Sequence, residues 1–201
     1  MTLDKEVVLE ALRCCRDVYP HSEDFLVSRK VAGHTILAVE GTKETTDWVT
    51  NLKFLIKRDD CHRGFRNNAN RTLASLVIGY EALDPKRKLI LAGHSLGGAT
   101  ATLIAEALWD SGNKNIGLVT AGSPRPGGRR LRRRIKDLEH LRFVHGDDIV
   151  TGTPPWLAGY VHTHPAIKLK DANDTRFDGV ADHNIGDYYT AAEKYYTEGA
   201  I

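Results

Sequence analysis

The sequence predicts an α/β fold with a mostly parallel central sheet and helices on both of its faces. Three observations predict it. Short apolar runs alternate with stretches of helical periodicity, the connections between them are short, and at residues 88–102 an apolar run passes through Gly93-His94-Ser95-Leu96-Gly97 straight into an alanine-rich segment. At 201 residues the chain is most simply one domain, long enough to bury roughly 70% of its unfolded surface without disulfides or metal.

Taken in order, Leu3, Val7, Val8, Leu12 and Cys15 recur at helical spacing, and Pro20 ends that first helix. Residues 25–28 and 35–39 read as a hairpin around Ala32-Gly33, and residues 52–57 as a further short strand. A long helix over 63–83 can set Phe65, Ala69, Leu73, Leu76, Val77 and Tyr80 on one face before Asp84-Pro85 closes it. Leu89-Ile90-Leu91-Ala92 is the next strand, followed by the serine turn and its helix. Residues 115–121 form another apolar strand, 122–128 a turn-rich loop, 129–138 a helix and 140–145 a strand. From 146 to 182 the chain is loop-rich with one strand at 166–170, and a last helix spans 184–198.

Composition narrows the function. The net charge is +2, so nothing points to nucleic acid as a partner. No run approaches the 18 apolar residues of a membrane span. Three cysteines, two of them adjacent, do not suggest a disulfide framework. Asp4, Lys5, Glu6, Glu10, Arg13 and Arg16 interrupt the N-terminal segment, which therefore lacks the apolar core of a secretion signal. A reducing, cytoplasmic location is the expectation.

Gly93-His94-Ser95-Leu96-Gly97 has the spacing of a nucleophile elbow, in which a serine sits on a strained strand-to-helix turn and the glycines let the chain pass its neighbours closely. The bare spacing would arise by chance in roughly 7% of chains this long, so the preceding strand and the following small-residue helix carry the argument. A serine hydroxyl needs a base within hydrogen-bond reach and a third group to orient that base. His140, His145, His162, His164 and His183 follow the turn, and Asp147 and Asp148 stand just beyond a strand's carboxyl end, where an open α/β sheet keeps its chemistry. His162-Thr163-His164 resembles a metal-ligand pair, but no cysteine or carboxylate pattern completes a site. Residues 125–136 hold seven basic side chains, and Leu131, Ile135 and Leu138 form an apolar seam beneath them. That pattern reads as a solvated basic face, with contact to anionic lipid as the alternative.

Several segments, in order, carry a resemblance. Val39-Glu40-Gly41-Thr42 with Asp47-Trp48-Val49-Thr50-Asn51-Leu52, Cys61-His62-Arg63-Gly64-Phe65, the serine turn, Thr120-Ala121-Gly122-Ser123-Pro124-Arg125, Asp147-Asp148-Ile149-Val150 with Pro154-Pro155 and Gly159-Tyr160-Val161-His162, and Ala181-Asp182-His183 resemble the class 3 lipases of the fungal triacylglycerol lipase type. The resemblance implies an α/β-hydrolase fold and lipid ester hydrolysis without a cofactor. It implies Ser95 as nucleophile, Asp148 as the acid, His183 as the base, and the backbone N–H groups of Thr42 and Leu96 as oxyanion donors. Trp48, Phe65, His94, Pro154, Trp156 and Ile185 become substrate-binding candidates. Thr45, Thr46 and the short stretch 52–61 imply a minimal lid and an open site suited to shorter esters. A phospholipase or an acyltransferase would use the same triad, and a lipase-like protein that only binds lipid or a partner is the non-catalytic alternative. The implied partner is a lipid or ester molecule, with transient contact to a lipid surface.

Overall fold

The computed structural model describes residues 3–18, 26–41, 57–58, 60–79, 86–170 and 179–199. Helix α1 (Lys5–Asp17) precedes a hairpin of β1 (Leu26–Val31) and β2 (His34–Val39). Its turn places Ala32 and Gly33 at positive φ, 43° and 77°, the pairing that suits the right-handed twist of the flanking strands. A two-stranded ribbon, β3 (Lys57–Arg58) and β4 (Cys61–His62), leads into α2 (Arg63–Gly79). Then come β5 (Lys88–His94), α3 (Leu96–Asp110), β6 (Ile116–Ala121), α4 (Arg129–Arg134), β7 (Glu139–His145), β8 (Ala166–Leu169) and α5 (Ile185–Glu198).

Six strands form one sheet in the order β1-β2-β5-β6-β7-β8, antiparallel at β1-β2 and parallel elsewhere. The period-2 alternation of the strands divides their apolar side chains between two layers. Leu37, Val39, Leu89, Leu91 and Leu118 pack with Phe65 and Ala69 of α2, Leu103 and Ile104 of α3, and Leu131. Ile36, Ala38, Ile90, Ala92, Val119, Ala121 and Phe143 pack on the other face against Val7, Val8, Ala11 and Leu12 of α1 and against Tyr188 and Ala192 of α5. Helices therefore cover both faces, as the sequence predicts. Glu106, buried on α3, accepts hydrogen bonds from Arg66 of α2 at 2.8 Å and Arg134 of α4 at 2.6 Å, tying three helices across one layer.

One expectation changes. The helix predicted over 129–138 stops at Arg134, because Ile135 leaves helical geometry (φ −110°, ψ 22°); the apolar seam survives, with Leu131, Ile135 and Leu138 all buried. The lid stretch with Thr45 and Thr46, most of the predicted strand at 52–57 and the end of the helix beyond Gly79 lie outside the described residues. The parallel register aligns Val39 with Gly93, Gly93 with Thr120, and Ala121 with Phe143. The carboxyl ends of β2, β5, β6 and β7 thus share one edge of the sheet. Every loop discussed below leaves from that edge.

Candidate active site

Ser95 follows β5 and opens α3 at φ 57°, ψ −130°, a conformation that L-residues adopt only where the surroundings enforce it. The packing of the turn is what enforces it. A Cβ on Gly93 would sit 2.3 Å from the Gly97 carbonyl, and one on Gly97 would sit 2.3 Å from the Val39 carbonyl oxygen. Both positions therefore require glycine, and the strand end of β2 lies directly against the first turn of α3. Leu96, next along the chain, is the first residue of that helix, where backbone N–H groups have no partner within the helix and favour an anion. Ser95 is fully buried, and its Oγ has no hydrogen-bond partner among the described residues.

Asp148 follows β7 and His183 stands on a short 3-10 turn before α5, whose N-cap Asn184 accepts the Gly186 N–H at 2.7 Å. His183 Nδ1 and Asp148 Oδ2 are 2.8 Å apart, both residues buried. An ionised carboxylate only accepts, so Nδ1 carries the proton and Nε2 is left as the basic lone pair. That Nε2 is buried and unpartnered among the described residues, like Ser95 Oγ. Asp148 also accepts the Tyr188 hydroxyl at 2.7 Å on Oδ2 and the Val150 N–H at 2.9 Å on Oδ1. Three donors hold this carboxylate in one orientation. Burial, and after it the negative charge of Asp148, drives the Tyr188 phenol well above its ordinary pKa, so it remains a donor.

Space for the pair comes from Gly122, at φ +58° in the loop after β6. A Cβ there would lie 2.9 Å from Asp148 Oδ2 and from His183 Cε1. His94 underlies His183: its Nε2 donates to the His183 carbonyl at 2.9 Å, and the two rings lie 4.6 Å apart. Burial, then the neighbouring His183, lowers the His94 pKa well below the usual imidazole value, so it serves as a neutral clamp. Asp182 accepts the Asp147 N–H at 2.7 Å, which pins the base loop to the acid loop one residue away from the Asp148–His183 contact.

The alternatives left open by the residues now separate. His162 Nε2 donates to the Thr151 carbonyl at 2.8 Å, and His140 lies 3.2 Å from His164 and 2.9 Å from the Thr120 hydroxyl. None of these rings reaches Asp148 among the described contacts. Of the substrate-binding candidates, His94 lies against His183. Phe65 is fully buried in the core beneath the sheet, and Ile185 packs against the opposite layer. Pro154 is buried and gives its carbonyl to Arg125 at 2.7 Å. Trp156, on the 3-10 turn after Pro154-Pro155, stands 68% exposed. Thr42 and Trp48 lie outside the described residues. Gly122, Tyr188 and the clamping role of Asp182 were not singled out by the sequence. The only signal was that Gly122 and Asp182 sit inside family-like segments.

Among the described residues, no group of three or more histidine, cysteine or carboxylate side chains could hold a metal ion. No described helix is long and apolar enough to cross a membrane.

The family profile of the class 3 lipases matches residues 36–158, more than half of the chain. A secreted mono- and diacylglycerol lipase of Fusarium solani is 33% identical over 145 residues, covering 67% of this chain and 43% of that protein. The secreted mono- and diacylglycerol lipase A of Penicillium cyclopium is 31% identical over 153 residues, 69% of this chain and 49% of its own length. The chain thus spans less than half the length of these curated relatives. Among solved structures, a variant of MDLA from Penicillium cyclopium superposes with a TM-score of 0.62 at 29% identity, over 71% of this chain and 57% of that one. A lipase of Rhizopus microsporus var. chinensis gives a TM-score of 0.70 over 91% of this chain and 88% of that one, and at 22% identity it speaks for the fold.

The similarity to secreted lipases overturns the expectation of a cytoplasmic location. The structure explains why the sequence misled. The charged N-terminal segment is an amphipathic helix whose Val7, Val8, Ala11 and Leu12 are buried, so its polarity reflects packing on the sheet. Cys14 and Cys15 lie in one core layer and Cys61 in the other, so their odd count says nothing about redox compartment. Fold, turn and profile agree that the chain belongs to the class 3 lipase family.

Proposed function

We propose that this protein hydrolyses carboxylic esters of lipids through a Ser95-His183-Asp148 triad. The observation that carries the reading is the buried His183–Asp148 contact of 2.8 Å at the same sheet edge as a serine held at φ 57°. His183 Nε2 takes the Ser95 proton as Oγ attacks the acyl carbon, and the imidazolium formed is stabilised by Asp148. The N–H of Leu96 donates to the developing alkoxide, with that of Thr42 as the second donor implied by family resemblance; removing one such donor commonly costs about 10²–10³ in turnover. His183 returns the proton to the leaving alcohol. Water, deprotonated by the same nitrogen, then cleaves the acyl-enzyme and releases the acid. The unpartnered Ser95 Oγ and His183 Nε2 suit this role, since such contacts often close only when substrate is bound.

Lipid esters are the substrate class, and the mono- and diacylglycerol lipases among the relatives make partial glycerides the first compounds to assay. The test compares the wild-type chain with Ser95→Ala on emulsified monoacylglycerol and on a soluble nitrophenyl ester. Activity should fall by about 10³ or more with the fold retained, as triad removal does elsewhere. Retained activity in the folded variant would refute the assignment.

A further inference from the structure

Arg142 of β7 differs from the other buried charged side chains of the described residues. Glu106 is paired with Arg66 and Arg134, Asp148 accepts from Tyr188 and faces the His183 ring, and Asp182 accepts the Asp147 N–H. Arg142, only 8% exposed, makes no ion pair among the described residues. Its guanidinium has one hydrogen bond there, from Nε to the His164 carbonyl at 3.0 Å. Both Nη groups, the paired donors of the guanidinium fork, are left without a partner among the described residues. A buried positive charge in that condition is costly.

The sheet register shows what stands beside Arg142 on its own face. Its aligned neighbours are Thr120 of β6 and Ala166 of β8, a hydroxyl on one side and a methyl on the other. Thr120 is engaged by His140 Nε2 at 2.9 Å, and His140 Nδ1 lies 3.2 Å from His164. Ala166 offers a guanidinium nothing. The charged and titratable groups that act on this corner are Arg125, Tyr188, His140, His162 and His164, and none of them is a carboxylate. Burial lowers the Arg142 pKa to about 10, with Tyr188 opposing that shift and Arg125 adding to it. The corner borders solvent: β8 is an edge strand of the sheet, and His162, His164 and Ala166 are half-buried.

We propose that Arg142 takes its counter-charge from solution, as a small oxyanion, carboxylate or phosphate, bound by its Nη fork on the side where Ala166 presents only a methyl. The donors identify the chemical class. A planar guanidinium fork matches two oxygens of a carboxylate or a phosphate, whereas a cation is repelled and an apolar molecule leaves the charge unpaired. The ion belongs to the loop that follows the acid. His162 Nε2 holds the Thr151 carbonyl at 2.8 Å, Arg125 the Pro154 carbonyl at 2.7 Å and Arg142 the His164 carbonyl at 3.0 Å. Two of these three grips are arginines that repel one another, and an anion on Arg142 offsets that repulsion. Occupancy therefore steadies the segment 151–164. The site stands apart from Ser95, His183 and Asp148, and its test does not depend on ester hydrolysis.

Urea unfolding of the full chain is measured in sodium formate, acetate and phosphate against sodium chloride at matched ionic strength. Above half-saturation, each tenfold rise in the bound anion should lower the unfolded-to-folded ratio about tenfold, and chloride should not. The Arg142 Nε–Hε resonance, assigned by through-bond correlation, should shift saturably in the same titrations. A stronger response to formate and acetate supports a carboxylate occupant, and a stronger response to phosphate supports a phosphate one. Arg142→Met should weaken the response by about tenfold or more, the worth of a charge-assisted hydrogen bond. Ala166→Glu places a carboxylate in register with Arg142, so it should abolish the anion response and lower the unfolded-to-folded ratio in chloride alone. An Arg142 resonance unmoved by all three anions would overturn the proposal. So would a response retained in Arg142→Met or undiminished in Ala166→Glu. Should either variant not fold, the wild-type resonance decides by itself.

Discussion

The end of β7 with its following loop pairs Asp148 and His145 with His183 and Asp182 of the turn before α5, and the two crossed pairs are built differently. Asp148 meets His183 at 2.8 Å, and its two oxygens also take the Tyr188 hydroxyl and the Val150 N–H. Asp182 stands 3.8 Å from His145 Nδ1, beyond hydrogen-bond distance, and its side chain takes the Asp147 N–H at 2.7 Å, while His145 reaches the Asp182 carbonyl at 3.3 Å. One carboxylate is aimed at an imidazole whose far nitrogen has no partner among the described residues. The other is aimed at a peptide N–H. Residue type and burial are the same in both pairs, so the difference lies in partner and distance: only the Asp148 carboxylate stands within hydrogen-bond distance of its imidazole. The first pair orients the His183 ring, and the second holds two loops in register.

The largest test of that contrast is Asp148→Asn, which removes the charge beneath His183 and permits the wrong tautomer. kcat on a soluble ester should fall by about 10³–10⁴, whereas Asp182→Asn keeps an oxygen for the Asp147 N–H and should stay within about tenfold. Similar losses in the two variants would erase the distinction drawn here. Next in size is Gly122→Ala, whose Cβ would lie 2.9 Å from both Asp148 Oδ2 and His183 Cε1 at a φ of +58°. Displacing the pair by about 1 Å should cost about 10² in kcat/KM. Tyr188→Phe removes one of the three donors to Asp148, and kcat should fall by about tenfold, the worth of one buried charge-assisted hydrogen bond.

A separate effect concerns stability and comes from buried histidines that do not reach Asp148. Burial lowers His94 and His140 well below the ordinary value of 6.5, and lowers His162 to about 3. In the unfolded chain these rings take up a proton near pH 6.5, while in the folded chain they remain neutral. The unfolded state therefore binds more protons through that window, and stability declines as pH falls below about 6.5, by up to about 1.4 kcal/mol per pH unit for each ring. Urea unfolding at a series of pH values checks the sign. A midpoint that rises on acidification would contradict the neutral assignment.

Legibility in the sequence followed the range of the interactions. The serine turn was readable because part of its requirement is local: a Cβ on Gly93 would meet Gly97 within the same turn, even though Gly97 itself answers to the distant Val39 carbonyl, and the apolar run Leu89 to Ala92 before it reads as a buried strand. The two covered faces of the sheet were readable from the alternation of apolar strands with helices. His183 could be separated from His162 and His164 only by resemblance, because its contact with Asp148 spans 35 positions. The Tyr188 hydroxyl, 40 positions from Asp148, left no sequence signal: a tyrosine on the apolar stripe of a terminal helix looks like a core residue. Trp156 is a related case: sequence shows that a tryptophan lies near the acid, but not the 3-10 turn on which it stands exposed.

The account turns on Ser95 being activated through the Asp148–His183 pair and not through its neighbour pair. The direct measurement is the rate at which a fluorophosphonate modifies Ser95, with the site read by peptide mass, in wild type, Asp148→Asn and Asp182→Asn. The account predicts a single adduct on Ser95, slowed by about three orders of magnitude in Asp148→Asn and by no more than about tenfold in Asp182→Asn. No adduct on Ser95 in the folded wild-type chain, or equal slowing in the two variants, would contradict it.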